Sequence, residues 1–217
     1  MMNVRKDNYK MKIDSIIFDL DGTLWNATEE ICEAWNIVLN RHPNIGRTIT
    51  TEELGKNMGF TMDEICMRLF PELDENLQVK LMKEFCEEEE IYLGKHGGKL
   101  YPKVEETLGK LSESYKLYIV SNCQDGYIQC FFKAHKLKKY FTDFECWGVT
   151  GLPKGQNNKI IMERNKLNKP VYVGDTKGDY ESAKIAEIPF IYARYGFGNS
   201  EEYDYVIDSF EEILNLV

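Results

Sequence analysis

Ser15-Ile16-Ile17-Phe18-Asp19-Leu20-Asp21-Gly22-Thr23-Leu24 is the stretch on which the reading of this chain turns. Three apolar, β-prone residues (Ile16, Ile17, Phe18) run into two carboxylates one residue apart, and a glycine follows at once. Continuous apolar strands of this kind are buried in parallel sheets, whose carboxyl ends open onto the ligand crevice. Burying a carboxylate there is costly unless something compensates, and a divalent cation is the usual compensation. One carboxylate can then act as a nucleophile while the second handles protons. The same pair also fits two solvated acids in a strand-end turn, one of them capping a helix.

After residue 100 strand and helix signals alternate. Val104, Leu108 and Leu111 mark one face of a helix, and Leu117-Tyr-Ile-Val120 reads as a buried strand. A helix is expected from about Gly126 to Lys136, a weaker strand from Phe144 to Val149, and a helix from Lys159 to Leu167. Pro170 to Val173 reads as a short strand, Asp179 to Glu187 as a helix with Asp179 at its N-cap, and Ile188 to Ala193 as another strand. Tyr205 to Ile207 adds a last one. This alternation predicts an α/β fold, a doubly wound parallel sheet with helices on both faces.

Residues 26–99 break the rhythm. Ala27 to Asn40 carries Ile31, Ala34, Trp35, Val38 and Leu39 at helical spacing, and helix starts are expected at Thr50 and Thr61. Leu77 to Leu93 continues as a long helix whose acidic run, Glu87 to Glu90, is read as a solvated face. Gly94, Gly97 and Gly98 supply a flexible exit. The expected organisation is therefore a catalytic core from residues 1–25 and 100–217, with a helical insert over 26–99.

Bulk properties fit an ordinary globular enzyme: 43% hydrophobic and 29% charged residues in a 217-residue chain. A net charge of −9 argues against a nucleic-acid polymer or an acidic membrane as partner. Met1 to Lys12 is mildly basic but no apolar h-region follows, so no secretory signal is expected, and no apolar run approaches the roughly 20 residues that span a bilayer. The six cysteines form no C-x-x-C pair, which suits reduced thiols in the cytoplasm.

More candidate chemistry falls at the later strand ends. One strand runs into Ser121-Asn122 and another into Gly174-Asp175-Thr-Lys-Gly-Asp179, with Lys154 in a loop before a helix between them. Singly these read as a turn residue, a surface charge and a helix cap. In this order and at these strand ends, coincidence is improbable.

With these motifs the chain resembles the haloacid dehalogenase superfamily, in its branch of phosphoglycolate phosphatase-like and β-phosphoglucomutase-like members with a helical cap after the first strand. Asp19-Leu-Asp21-Gly-Thr-Leu resembles the first family motif, Ser121 the second, Lys154 the third (with Lys159 as competitor) and Gly174-Asp175-x-x-x-Asp179 the fourth. The resemblance implies a Mg2+-dependent phosphatase acting on a small phosphorylated metabolite, as a monomer or homodimer. It implies that Asp19 forms an aspartyl-phosphate and that Asp21 protonates the leaving alkoxide, then takes a proton from water. Mg2+ would be held by Asp19 and Asp175, by the backbone carbonyl of Asp21, and by Asp179 directly or through water. Lys154 would offset charge and Ser121 donate a hydrogen bond, with Asn122 beside it. Gly22 and Thr23 would shape the phosphate-binding loop. Asp21 excludes the dehalogenases, whose halide leaving group needs no proton. A phosphosugar mutase and a non-catalytic binding protein on the same scaffold are the alternative readings. For the leaving group, Arg47, Lys56, Asn57, Lys95 and His96 are the polar candidates on the insert, and Trp25 lines the pocket or packs in the core.

Overall fold

The computed structural model describes residues 10–217; the basic N-terminal segment up to residue 9, on which the reading of no secretory signal rests, lies outside them. Eight strands and ten α-helices are formed among the described residues. The strands are β1 (Ser15–Phe18), β2 (Trp25–Asn26), β3 (Lys99–Leu100), β4 (Lys116–Ser121), β5 (Phe141–Cys146), β6 (Pro170–Gly174), β7 (Phe190–Ala193) and β8 (Tyr205–Ile207). The helices are α1 (Thr28–Arg41), α2 (Thr51–Gly55), α3 (Met62–Leu69), α4 (Glu75–His96), α5 (Val104–Ser112), α6 (Tyr127–His135), α7 (Trp147–Thr150), α8 (Lys154–Asn165), α9 (Lys177–Ala186) and α10 (Ile213–Leu216).

Six strands form one parallel sheet in the order β5-β4-β1-β6-β7-β8. The chain leaves β1 toward β4 and β5, then returns to its other side for β6, β7 and β8. That reversal makes β1 the switch strand, and a crevice opens at its carboxyl end. Alternation along β1 sends Ile16 and Phe18 into the larger core and Ile17 into a second one on the opposite face. Ile17 lies level with Tyr118 of β4 and Tyr172 of β6, all three fully buried. Burial on both faces explains why β1 reads as unbroken apolar sequence.

Between β2 and β3 lie four helices in place of a strand. Thr50 and Thr61 begin α2 and α3 with reciprocal capping boxes to Glu53 and Glu64, and the Asp74 side chain caps α4 by accepting from the Leu77 N–H at 3.1 Å. α1 and α4 pack through Trp35 stacked on Phe85, ring centroids 4.4 Å apart. The two-residue strands β2 and β3 pair antiparallel where this segment leaves and rejoins the sheet, Asn26 facing Lys99. Gly98 permits that approach, since a Cβ there would lie 2.8 Å from Ala27 Cβ.

Several expected boundaries move. α8 starts at Lys154, not 159, because Pro153 fixes an extended entry to it. α9 is capped by Thr176, with Asp179 three residues in as the partner of a capping box, so Asp179 is not the N-cap. β5 spans Phe141–Cys146, three residues before the expected strand, because Phe141 pairs with Leu117 and packs on Phe18 and Phe132. Gly94 lies inside α4; the exit is made at Gly97, with φ +68°, and Gly98. The acidic run is not uniformly solvated either: Glu89 is 2% exposed.

Ile17→Ala opens a cavity between two tyrosines that cannot close over it. The expected loss is about 2–5 kcal/mol of unfolding free energy, read from urea denaturation with an unchanged m-value.

Candidate active site

The parallel ladder carries Asp19 one residue past β1, its N–H donating to the Val173 carbonyl at 2.8 Å. The chain then turns sharply. The N–H groups of Thr23 and Leu24 return to the Leu20 carbonyl, and that of Gly22 donates to the Trp25 carbonyl at 2.9 Å. Gly22 sits at φ +82°, and a Cβ on it would lie 2.2 Å from Asp175 Oδ2, so glycine is required twice over. Gly22 and Thr23 thus shape the turn, with their own N–H groups already engaged.

Four carboxylates converge there, all buried: Asp19, Asp21, Asp175 and Asp179. Lys154 reaches them from the first turn of α8, its Nζ 2.8 Å from Asp19 Oδ1 and 2.7 Å from Asp179 Oδ1. Burial disfavours the ammonium, but Asp179 and Asp19 raise the Lys154 pKa above the ordinary lysine value, so it stays charged. Lys159, the competing lysine, makes no ion pair with this cluster.

Burial pushes the Asp19 carboxyl up to about 7, against the pull of Lys154. Asp21 is pushed up to about 8 by burial, with the hydrogen bond from Tyr127 opposing and the charges of Asp19 and Glu89 adding to it. A carboxyl that holds its proton near neutrality suits a general acid. The Tyr127 hydroxyl donates to Asp21 Oδ1 at 2.7 Å and so orients it.

Asp175 and Asp179 differ in how their oxygens are used. Asp179 Oδ1 accepts from Lys154 and the Tyr172 hydroxyl, and Oδ2 accepts from the Asp175 and Thr176 N–H groups and the Thr176 hydroxyl. Asp175 Oδ2 accepts from the Phe197 and Gly198 N–H groups at 2.7 and 3.0 Å. Its Oδ1 is buried with no partner among the described residues. Burial, then Asp179 and Asp19, raise the Asp175 pKa well above the usual range. One carboxylate oxygen each from Asp19, Asp175 and Asp179 lie within 4.8 Å of one another. An all-oxygen donor set with an orphaned carboxylate oxygen fits a hard divalent cation. Asp175 Oδ1 is free for one, Asp19 stands beside it, and Asp179, whose oxygens also hold Lys154 and the loop, completes the group.

Ser121 and Asn122 end β4 and line the same pocket as Asp19 and Asp21. Asn122 Nδ2 donates to the Gly59 carbonyl at 2.9 Å, joining the sheet edge to the loop between α2 and α3. The polar candidates on the insert do not come here. Arg47 bonds the Leu69 carbonyl and Glu53, Lys56 pairs with Glu52 on the surface, Asn57 bonds the Glu53 carbonyl, and Lys95 and His96 lie in the last turn of α4. None of the five lines the pocket. Trp25 is a core residue, packed edge-on against Tyr127 and Phe131.

Instead the insert contributes Trp35 and Glu89, and the loop after β4 adds Gln124. A signal for Glu89 was present in the sequence. Leu81, Phe85, Glu89 and Leu93 recur every four residues as the buried row of α4, so one acid of the run must face inward. Likewise the Gly196-Phe-Gly198 stretch after β7 marks the close backbone approach that binds Asp175.

Residues 16–193 match the model of the haloacid dehalogenase-like hydrolase family. The chain is 26% identical to a phosphoglycolate phosphatase of Vibrio parahaemolyticus, over 94% of this chain and 96% of that protein. It is 27% identical to one of Aliivibrio fischeri, over 93% and 95%. In fold it is similar to a haloacid dehalogenase-like family protein from Streptococcus pneumoniae (TM-score 0.77, 21% identity, covering 93% and 97%). CbbY from Rhodobacter sphaeroides is also similar (TM-score 0.79, 16% identity, covering 94% and 99%). The chain belongs to the haloacid dehalogenase-like hydrolase family.

Gly22→Ala forces a side chain into a left-handed backbone, about 1–2 kcal/mol by itself, and against the Asp175 carboxylate. The expected outcome is a lower urea midpoint together with loss of most phosphate release.

Proposed function

We propose that this protein is a Mg2+-dependent phosphatase that hydrolyses a small-molecule phosphate monoester through an aspartyl-phosphate on Asp19. The observation that carries the reading is the Asp19 carboxylate, fixed at the end of the switch strand by Lys154 at 2.8 Å and placed beside the acid Asp21 on the floor of one pocket. One oxygen of the Asp19 carboxylate is the attacking atom. Its attack on phosphorus breaks the ester P–O bond, and Asp21 gives its proton to the departing alkoxide. Asp21, now a carboxylate, takes a proton from the water that attacks phosphorus next, which releases inorganic phosphate and restores Asp19. Tyr127 keeps Asp21 in line for both transfers.

Phosphoryl transfer depends chiefly on positioning and on stabilising charge at the equatorial oxygens. Lys154 supplies one fixed positive charge, and the Ser121 hydroxyl a hydrogen bond. Asp19 and Asp175, with the Asp21 carbonyl, would hold Mg2+, which when bound neutralises charge on the phosphate. Residues 26–99 act as a cap over the site, a role supported by the Asn122–Gly59 bond and by a pocket walled from both sides. The names of the curated relatives point to small phosphorylated metabolites. Six free cysteines fit a reducing, cytoplasmic setting. Among the described residues no helix is long and apolar enough to cross a membrane.

The purified protein with Mg2+ is expected to release phosphate from p-nitrophenyl phosphate, to stop on adding EDTA and to resume with excess Mg2+. Asp19→Asn should lower turnover about 1,000-fold or more, on the order of 4 kcal/mol of transition-state stabilisation, with an unchanged far-UV CD spectrum. Asp21→Asn should impair alkyl phosphates far more than p-nitrophenyl phosphate, whose leaving group needs no proton. Wild-type rates on alkyl esters in that variant would remove Asp21 from the acid role.

A further inference from the structure

The pocket beyond Asp19 and Asp21 is narrow, about 40 Å3, and is walled largely by apolar side chains of the helical segment, Ile31, Leu54, Met58 and Phe60 among them. Its polar groups are few and specific. Glu89 projects from the buried row of α4, and the Trp35 indole N–H donates to its Oε2 at 2.9 Å. The Gln124 side-chain amide approaches the same carboxylate. Two polar atoms on the same wall are buried and without hydrogen-bond partners among the described residues: Gln124 Nε2, on a side chain 8% exposed, and Asn122 Oδ1. Buried polar atoms without partners are rare, and groups of them facing one pocket mark a ligand position. Among the described residues no Lys, Arg or His lines this space.

We infer that the substrate is an organic monophosphate whose leaving alcohol carries a hydrogen-bond-donating group, a hydroxyl or an ammonium, that binds Glu89, and that the pocket rejects leaving groups bearing a carboxylate. This rests on the phosphatase reading above and names its substrate class. A hydroxyl on the leaving group can donate to Glu89 Oε1 while accepting from Gln124 Nε2; an ammonium can donate to Glu89 and to Asn122 Oδ1. A carboxylate at that place meets an acid with no cation to offset it, in apolar surroundings where an unpaired anion is strongly disfavoured. Burial holds the Glu89 carboxyl up at about 7, with the Trp35 bond opposing. The curated relatives carry the name of a phosphatase for phosphoglycolate, whose leaving group is a carboxylate-bearing alcohol. This pocket separates the chain from that substrate.

Three esters of equal length decide the matter: 2-hydroxyethyl phosphate, 2-aminoethyl phosphate and 2-phosphoglycolate, assayed with Mg2+ by phosphate release. For the wild type, kcat/KM on the better of the first two should exceed that on 2-phosphoglycolate about 100-fold, and which of the two is better tells hydroxyl from ammonium. In Glu89→Gln the ratio of donor-bearing ester to 2-phosphoglycolate should fall about tenfold or more, the aminoethyl ester losing most. The wild-type series needs no variant and stands if Glu89→Gln fails to fold. A wild type that prefers 2-phosphoglycolate, or a folded Glu89→Gln with an unchanged ratio, overturns the inference and leaves the phosphatase reading intact. Failure to turn over p-nitrophenyl phosphate or any of the three esters overturns both.

Discussion

Everything at the carboxyl edge of the sheet answers to one electrostatic constraint: four buried carboxylates share a single ammonium. Lys154 sits between Asp19 and Asp179, the one cation among the described residues that pairs with any of the four. Removing one partner of such a buried pair typically costs about 3–5 kcal/mol, because the charge left behind has no solvent to fall back on. The surrounding backbone is arranged to satisfy the oxygens that Lys154 does not reach. Thr176 and the start of α9 serve Asp179, the Phe197 and Gly198 amides serve Asp175, and Tyr127 serves Asp21. What stays unsatisfied, Asp175 Oδ1, is what a hard cation requires.

The same constraint explains what could be read from sequence. A parallel strand buried on both faces must be apolar throughout, so β1, β4 and β6 were legible, and the residues at their ends followed by position alone. Asp19, Ser121 and Asp175 needed no knowledge of tertiary contacts. Tyr127 did, because it meets Asp21 from a separate element and nothing local in the sequence marks a helical tyrosine. Glu89 was encoded in the phase of α4, where it takes a place in the row of Leu81, Phe85 and Leu93. Composition hid it; periodicity revealed it. The polar candidates chosen for exposure and charge, such as Arg47 and Lys56, were absorbed by caps and ion pairs within the helical segment.

Two opposite requirements meet in one pocket. The phosphate end needs positive charge, which Lys154 and a cation held by Asp19 and Asp175 would supply. At the leaving-group end the walls are largely apolar and the one carboxyl beyond Asp19 and Asp21, among the described residues, is Glu89. A dianionic phosphate would therefore be drawn to the Lys154 end and a hydrogen-bond-donating tail to the Glu89 end, which orients the ester.

The two ends also belong to different parts of the chain. The proposed reacting groups sit at strand ends of the sheet and in the first turns of the helices that follow, held by register and capping. Glu89, Trp35 and the apolar wall belong to helices joined to the core by the short β2–β3 pair, by the Asn122–Gly59 bond and by the packing of α4 on α6. Substitutions along α1, α3 or α4 can thus alter which alcohol is accepted without touching Lys154 or the carboxylates it neutralises. Tyr127 is the exception, because it stands on α6 with its hydroxyl on Asp21 and its ring in the same pocket as Glu89. Through it and through the charge of Glu89, which raises Asp21, the choice of leaving group and the protonation of that leaving group are physically joined.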